Sequence, residues 1–561
     1  MPEDKQGIAL LKDTRVFLVD DHKYFQQFMK NMLQQFGIAS FTAASTVEEA
    51  KRICSRHQFD LYLVDYNLGS GENGRQFIHY LHRFNCLPPD SLVFMVTGDA
   101  SRAMVLSAIE EEPDDYLIKP FSMQQFRQRL DRSLLRHNAL RDVYQAQREH
   151  RHQDVIRLCH EGISKMSPYS MDLRLMLSEA SIKTGDCLQA KSILEEGLSF
   201  RESAWYRLEL GKVCFQLEDY EEALENLALA QDKKPFMMEI YRLRCAIYTK
   251  TGKYEEADRT ISDAVTMSPQ SSALLNMQFD LATAQRNYLK MRDCIASLME
   301  LHRFETDRLA DLLSCYVHTA ILFAIQSGER YHLDMLPKNI HSTTRRFVPL
   351  LAAGNTDFSQ EIFESAVQAR IDITTGNPFK GKKSIYKLLD SISDSVPSVP
   401  ESIFSNITAG LEQLGDYEYA QSLLKQRSEK QETDPMLRTT LELFTSDDSN
   451  KKRREKYHAS NRSGIQAYKD GNYQLALQHF EEALHKSPTN TFAIINKAQS
   501  LLKLIQGDSG GSQKKENYIT SCRSALNSLS GLPLNDEFQA RVKDIEDNLA
   551  EQEALRYRKK K

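Results

Sequence analysis

Short apolar runs alternate with amphipathic segments between residues 14 and 135. The runs are Arg15–Asp20, Ser40–Ala43, Leu61–Asp65, Leu92–Thr97 and Tyr116–Ile118. The amphipathic segments are Phe25–Phe36, Val47–His57, Gly74–Arg83, Ser101–Glu110 and Ser122–Leu135. This alternation predicts five parallel strands, each followed by a helix, in a doubly wound α/β sheet. Ligands of such sheets bind beyond the carboxyl ends of the strands.

A helical repeat replaces the strand pattern from about residue 137. The set Gly211, Tyr220, Ala223, Leu227, Ala230 and Pro235 recurs 34 residues later as Cys245, Tyr254, Ala257, Ile261, Ala264 and Pro269. A third copy, far along the chain, runs from residue 464 to residue 488. A period of this length with two helical segments predicts an all-α solenoid. The stretch 300–450 is only weakly periodic, but it stays helical in character and low in proline.

These patterns predict five segments along the chain. They are an N-terminal extension (1–13), an α/β domain (14–136), helical repeats (137–300), degenerate helical repeats (301–450), and further repeats with a helical tail (451–561). Enrichment in Ser, Asp and Gly predicts loops at 390–402, 446–456 and 507–517. We expect Trp205, Tyr220, Tyr254 and Tyr473 to pack in the core of the repeats.

Composition narrows the class of protein. The 561 residues are 41% hydrophobic and 27% charged, with a net charge of −5, as in an ordinary folded protein without a broad positive field for DNA. No apolar run of bilayer length or signal peptide is expected. The nine cysteines include no CxxC pair, which argues against a disulfide framework and a zinc site. We therefore expect a cytoplasmic protein without membrane insertion, whose thiols are mostly core residues.

Polar side chains stand at four of the predicted strand ends. Asp20 and Asp21 end the first strand, Asp65 the third and Thr97 the fourth, while Lys119 follows the fifth. Parallel strands with short connections bring these ends to one edge, where three carboxylates would repel one another without a cation. Oxygen ligands of this kind predict Mg²⁺. Lys119 and Thr97 add an ammonium and a hydroxyl, so Asp65 has the surroundings that a transferred phosphoryl group needs.

Four motifs in this region resemble the receiver domain of two-component response regulators, which has a flavodoxin-like fold. They are VDD (19–21), VDYNLG (64–69), VTGDA (96–100) and YLIKPF (116–121). The resemblance implies that Asp65 is the phosphoacceptor. It also implies that Mg²⁺ is held by Asp20, Asp21, Asp65 and the backbone carbonyl of Asn67.

The same resemblance assigns the switch and the hydrolysis of the phosphoryl group. It implies that Thr97 and Lys119 bind the phosphoryl oxygens, and that Tyr116 changes rotamer when Thr97 moves. Asn67 and Asp99 would set the rate of dephosphorylation. Beyond self-phosphorylation from a phosphodonor and autodephosphorylation, no enzymatic activity is expected. His22 could suggest a phosphohistidine, but we favour a surface residue that begins a loop.

The 34-residue blocks resemble the tetratricopeptide repeat, whose solenoids bind proteins. The whole order is similar to auxiliary response regulators in which a receiver precedes such repeats. The chain has no P-loop, HExxH or GxSxG motif and no basic recognition helix. We favour a solvated face for the basic run at 451–454 over contact with nucleic acid or acidic lipid, because no aromatic residues interleave with it.

Three classes of function remain open. The first is a phosphorylation-gated interaction protein in a two-component phosphorelay. Its partners would be a sensor histidine kinase and a pathway protein or sibling response regulator, with no specific DNA. The second is a phosphate sink or inhibitor that modulates phosphotransfer from the kinase to another regulator. The third is a transcription factor or enzyme with a domain hidden in residues 300–450.

Overall fold

The computed structural model describes residues 14–560 apart from 70, 85, 89–90, 99–112, 354–356, 393–397, 428–433, 447 and 508–512. The predicted extension 1–13, the predicted helix Ser101–Glu110 and Asp99 lie outside the described residues. The chain divides into two compact units, Met1–Gln285 and Arg286–Lys561.

The first unit begins with a five-stranded parallel sheet of order β2-β1-β3-β4-β5. The strands are β1 (Arg15–Val19), β2 (Ser40–Ala44), β3 (Leu61–Asp65), β4 (Leu92–Thr97) and β5 (Asp115–Ile118). Every residue of β3 and β4 is buried, as expected for central parallel strands covered on both faces. Their register pairs Asp65 with Val96, which places both carboxyl ends at one edge. The predicted doubly wound α/β sheet is confirmed.

The described helices of this domain are α1 (Lys23–Gln35), α2 (Val47–Cys54), α3 (Gly74–Arg83) and α4 (Met123–Arg148). Side-chain caps fix where three of them begin. Thr46 accepts a hydrogen bond from the Glu49 backbone at the start of α2. Capping boxes begin α3, between Asn73 and Gln76, and α4, between Ser122 and Gln125.

Helix α4 belongs to two hydrophobic cores. Its first half contributes Phe126 and Leu130 to the core beneath the sheet. Its second half contributes Leu140, Val143 and Ala146 to the core of the first helical hairpins. The helix therefore runs without interruption across the position, 136/137, at which the sequence pattern changes.

The helical hairpins of the first unit repeat with the predicted period, and their backbone angles show the repeat. Two residues before the second helix of successive hairpins, Gly185, Glu218 and Gly252 have positive φ angles of 87°, 62° and 73°. The helices are α5 (His152–Ser164), α6 (Ser170–Lys183), α7 (Cys187–Phe200), α8 (Ala204–Gln216), α9 (Tyr220–Lys233), α10 (Met238–Lys250), α11 (Tyr254–Met267) and α12 (Ser272–Ala284).

The second unit is built from helices throughout its described residues. They are α13 (Tyr288–Leu301), α14 (Thr306–Ser327), α15 (Arg330–Ala353), α16 (Gln360–Thr374), α17 (Pro378–Ser391), α18 (Glu401–Leu414), α19 (Tyr417–Arg427), α20 (Pro435–Ser446), α21 (Asp448–Lys469), α22 (Tyr473–Lys486), α23 (Thr491–Gly507), α24 (Gln513–Leu529) and α25 (Asp536–Lys560).

Helix α14 is long and apolar enough to cross a membrane by length and composition, a feature that the sequence analysis missed. Its most apolar window has a mean hydropathy of 1.4, but 78% of that window is buried inside the protein. Burial of this extent is typical of the core helix of a soluble protein.

Two sequence-based expectations about the repeats were wrong. Trp205 is 43% exposed, with the Lys234 Nζ 4.9 Å from its ring centroid, and Tyr254 is 44% exposed. Tyr254 is the first residue of its helix, where little packs over it, whereas Ala257 one turn later is fully buried. The loop expected at 446–456 is largely the first part of α21, in which Arg453 is partly buried.

Candidate functional site

The carboxyl edge of the sheet brings two acids and one lysine into direct contact. Asp20, directly after β1, and Asp65, the last residue of β3, are 0% and 4% exposed. The Lys119 Nζ donates hydrogen bonds to the Oδ2 atoms of Asp20 (2.6 Å) and Asp65 (2.7 Å). These three residues were predicted to meet at this edge.

Backbone hydrogen bonds and helix α1 hold these side chains in place. The Asp20 amide donates to the Ala44 carbonyl (3.0 Å), and the Lys119 amide donates to the Thr97 carbonyl (2.7 Å). Gln26 donates from Nε2 to the Asp20 carbonyl (2.6 Å). Phe25, also on α1, places its ring centroid 3.8 Å from the Lys119 Nζ. The sequence analysis missed both α1 residues, since only the fold brings them to the strand ends.

The acidic cluster has a donor set and a charge that fit a divalent cation. Ligand atoms of Asp20, Asp21, His22 and Asp65 lie within 4.8 Å of one another. Among the described residues, the three carboxylates exceed the Lys119 ammonium by two negative charges, and carboxylate oxygens are ligands that Mg²⁺ prefers. His22 has the exposed side chain expected of it, but its Nδ1 lies 2.6 Å from Asp21 Oδ1.

Burial raises the pKa of the Asp65 carboxyl to about 6. Lys119 opposes that rise through its hydrogen bond and its charge, whereas the charge of Asp20 adds to it. The Asn67 backbone amide donates to Asp65 Oδ1 (3.2 Å). The carboxyl is therefore ionised at neutral pH and able to act as a nucleophile.

Three other predicted site residues, Thr97, Asn67 and Tyr116, belong to the described part of the chain. Thr97, at the end of β4, is fully buried, while Asn67 is exposed beside Asp65. Tyr116 is half-buried on β5 and lines a separate cavity of about 380 Å³ together with Phe121. Tyr116 is therefore placed outside the hydrogen-bonded acid–lysine group.

Gly74 allows helix α3 to approach the end of β3 closely. A Cβ atom at this position would lie 1.9 Å from the Asp65 carbonyl oxygen. The Gly74 amide also donates to the Tyr66 carbonyl (2.8 Å). Only glycine fits this approach. The sequence predicted that a helix starts at Gly74, but it did not predict the close approach of this helix to Asp65.

One hydrogen bond joins the end of β3 to the helical repeats of the same unit. The Tyr66 hydroxyl donates to the Gln270 Oε1 (2.8 Å), which lies in the turn between α11 and α12. Tyr66 is 1% exposed and directly follows Asp65. A residue adjacent to the acidic cluster is thus in contact with a repeat.

Comparison with known proteins identifies two regions of the first unit. Residues 16–131 match the family model of the response regulator receiver domain, and residues 124–283 match a tetratricopeptide repeat-like domain. A response regulator protein from Burkholderia pseudomallei with a phosphorylated aspartic acid and a calcium ion has a solved structure that is 26% identical. The similarity covers 23% of this chain and 75% of that one, with a TM-score of 0.20.

The curated relatives match the N-terminal part of the chain. The KDP operon transcriptional regulatory protein KdpE of Escherichia coli is 28% identical over 126 residues, which cover 22% of this chain and 53% of that protein. The chemotaxis protein CheY-3 of Vibrio cholerae is 26% identical over 129 residues, which cover 22% of this chain and 93% of that protein. The chain spans about half the length of KdpE.

Proposed function

We propose that this protein acts in a two-component phosphorelay and is phosphorylated on Asp65 with Mg²⁺. Its response regulator receiver domain is followed by a tetratricopeptide repeat-like domain. The observation that carries the proposal is the contact of the buried Asp65 and Asp20 with the Lys119 ammonium. A cytoplasmic location follows from this role.

Asp65 is the nucleophile of the proposed phosphotransfer. One carboxylate oxygen attacks phosphorus, while the bond from phosphorus to the donor's imidazole nitrogen or acyl oxygen breaks and its electron pair leaves with the donor. Lys119 and the Thr97 hydroxyl neutralise charge on the phosphoryl oxygens. Asp20, Asp21 and Asp65 would hold Mg²⁺, which supplies positive charge at the transferred group when bound. The exposed Asn67, together with Asp99, would control access of the hydrolytic water.

The test is phosphorylation of the full-length protein by acetyl phosphate with Mg²⁺, followed by intact mass spectrometry. We expect one phosphoryl group on the wild type and none on Asp65→Asn. The matched control is Asp60→Asn, because Asp60 precedes β3 at the opposite edge of the sheet, where it pairs with Arg15. Undiminished phosphorylation of Asp65→Asn would refute the assignment.

We further propose that the repeats bind a sensor histidine kinase or a sibling response regulator, with an affinity that depends on phosphorylation. The support is the Tyr66–Gln270 hydrogen bond, which ties a repeat turn to the residue after the phosphoacceptor. A change at Asp65 that moves Tyr66 alters this contact, and a partner that binds the two arrangements unequally then senses phosphorylation.

This output is tested by measuring partner binding with and without beryllofluoride. We expect a change of about 5- to 150-fold in affinity, and a smaller change in both Tyr66→Phe and Gln270→Ala. Equal affinities in both states would contradict gating. If the protein then still withdraws phosphoryl groups from the kinase and lowers labelling of the sibling regulator, the alternative function as a phosphate sink is the better account.

A further inference from the structure

The Lys119 ammonium has three hydrogen-bond donors, and the acidic cluster takes two of them. Its Nζ donates to Asp20 Oδ2 (2.6 Å) and to Asp65 Oδ2 (2.7 Å). The face of the Phe25 ring lies against the same ammonium, with 3.8 Å between Nζ and the ring centroid. A cation over an aromatic face is attracted by the negative charge of the π electrons. Phe25 therefore gives the ammonium a third, uncharged partner.

This contact lies in a site from which most water is excluded. The Lys119 side chain is 20% exposed, Asp20 and Asp65 are buried, and Phe25 is partly buried. A contact between a cation and an aromatic ring becomes stronger as it is desolvated, because water then competes less for the charge. We therefore expect the Phe25 ring to contribute more here than it would at an exposed surface.

Aromatic packing holds the ring of Phe25 in place. The Phe121 ring meets it edge to face, with 6.1 Å between the centroids. Phe121 in turn stacks on Phe126, with 6.0 Å between the centroids, and Phe126 is fully buried in the core beneath the sheet. The ring of Phe25 is thus supported from the core, so its face is in position before a phosphodonor binds.

Phosphotransfer requires the ammonium to change one of its partners. In the proposed function, Lys119 neutralises charge on the phosphoryl oxygens. A ring face attracts a cation over its whole area, whereas an oxygen accepts a hydrogen bond in a narrower range of directions. Lys119 can therefore exchange its bond to Asp65 for a bond to a phosphoryl oxygen and stay in contact with Phe25. A charge that is positioned in advance needs little reorganisation during the reaction.

We propose that Phe25 is a positioning residue for phosphotransfer to Asp65 and that it acts through Lys119. Its ring holds the ammonium at the carboxyl edge of the sheet and keeps water from the third donor. This role rests on the proposed function of Asp65 as the phosphoacceptor. Phe25 carries no group that bonds to the phosphoryl oxygens, so its effect on the reaction is indirect.

The first test compares Phe25→Leu with Phe28→Leu in the full-length protein, phosphorylated by acetyl phosphate with Mg²⁺. Loss of the ring at position 25 should slow phosphorylation about three- to tenfold. Phe28 is the matched control, because it lies one turn further along α1 and is 46% exposed. We expect its replacement to change the rate by no more than about twofold. An unchanged rate in Phe25→Leu, or equal slowing by both changes, would overturn the proposal.

Two further measurements separate positioning from packing. Phe25→Tyr keeps the ring face, so its phosphorylation rate should stay within about twofold of the wild-type rate. The Mg²⁺ concentration that gives half the maximal rate should also stay within about twofold in Phe25→Leu, since the ring supplies no ligand to a metal. Equal slowing by the Tyr and Leu replacements would exclude the ring face as the cause. A large rise in the Mg²⁺ requirement would show that Phe25 acts on the carboxylates instead of Lys119.

A double-mutant cycle tests the contact without phosphotransfer. Lys119→Leu removes the charge and leaves no sulfur to pack on the ring. Hydrogen exchange of peptides from β1 and β3 is measured with a chelator in the wild type, the two single variants and the double variant. Phe25→Leu should accelerate exchange at least about threefold more when Lys119 is present than in Lys119→Leu. Equal acceleration in both backgrounds would refute the contact.

The two kinds of measurement distinguish failure of this proposal from failure of the proposed function. If the wild type is not phosphorylated on Asp65, the proposed function fails, while the exchange cycle still reports whether Phe25 holds Lys119. If the cycle shows coupling but Phe25→Leu is phosphorylated at the wild-type rate, the contact is structural and the positioning role is refuted.

Discussion

Replacement of Lys119 by methionine tests the electrostatics of the acidic edge. The change keeps most of the side-chain volume but removes the ammonium that donates hydrogen bonds to the buried Asp20 and Asp65. Breaking a buried ion pair by removing one partner costs about 3–5 kcal/mol. The Lys119 side chain is 20% exposed, so water can reach the vacated space. We therefore expect the lower end, about 3 kcal/mol, at pH 8 without Mg²⁺.

The loss should depend on pH in a defined direction. Without Lys119, burial and the charge of Asp20 act together, so the pKa of Asp65 rises above its wild-type value of about 6. A carboxyl with a raised folded-state pKa contributes stability below its unfolded pKa, and that contribution is lost as pH rises through the folded pKa. The deficit of Lys119→Met should therefore be smaller near pH 4.5, where Asp65 is protonated, than at pH 8.

Hydrogen exchange of peptides from β1 and β3, measured with a chelator and corrected for intrinsic rates, gives the local opening free energy. The control is Lys51→Met, which removes a partly exposed ion pair to Glu72 in the same domain and should cost at most about 1 kcal/mol. Millimolar Mg²⁺ should restore part of the Lys119→Met loss by supplying positive charge. Equal protection of wild type and Lys119→Met at pH 8, or a larger deficit at pH 4.5, would refute this electrostatic account.

Three further changes test packing, backbone strain and a buried acid. Gly74→Ala should cost about 3 kcal/mol in thermal denaturation, because its Cβ would meet backbone. Gly98→Ala should be nearly neutral, because a Cβ there would have no atom of the described residues within 4 Å. In urea denaturation, Glu218→Gly should stabilise the repeats by about 1 kcal/mol and Gly252→Ala should destabilise them by a similar amount, since both residues have positive φ. Destabilisation by Glu218→Gly or stabilisation by Gly252→Ala would exclude backbone strain as the cause. Burial raises the pKa of Asp311 to about 6, so the second unit should lose about 1–2 kcal/mol as pH rises from 4.5 to 7.5. Asp311→Asn should reduce this pH dependence of the unfolding free energy, measured by denaturant titration at each pH. An unchanged pH dependence would exclude Asp311 as its cause.

The sequence predicted the sheet and most of its acidic edge because both depend on local patterns. Strands β3 and β4 are fully buried apolar runs, and a single polar residue, Asp65 or Thr97, marks each end. The amphipathic segment Ser122–Leu135 covers only the first part of α4, which continues to Arg148. Its apolar positions serve two cores in turn, so no single periodic stripe covers its length.

Features that depend on distant parts of the chain were not predictable. Tyr66 and Gln270 are 204 positions apart, and neither lies in a pattern that suggests the contact. Arg370 would be placed on a surface by its charge. It is buried because Asn406 and Gln413, from a helix well separated along the chain, supply neutral acceptors. Such groups acquire their surroundings only when the helices pack.

The continuous helix α4 limits how the chain can change length. Phe126 and Leu130 face one core and Leu140 and Val143 face another, so the two stripes keep a fixed angular phase. One residue inserted between Leu130 and Leu140 turns the second stripe by about 100° and moves it by about 1.5 Å. Seven inserted residues return it to within about 20°. Viable insertions and deletions here, in descendants or in engineered fusions, should therefore have lengths close to whole turns, such as seven or eleven residues, and a receiver exchanged at this junction must preserve the phase.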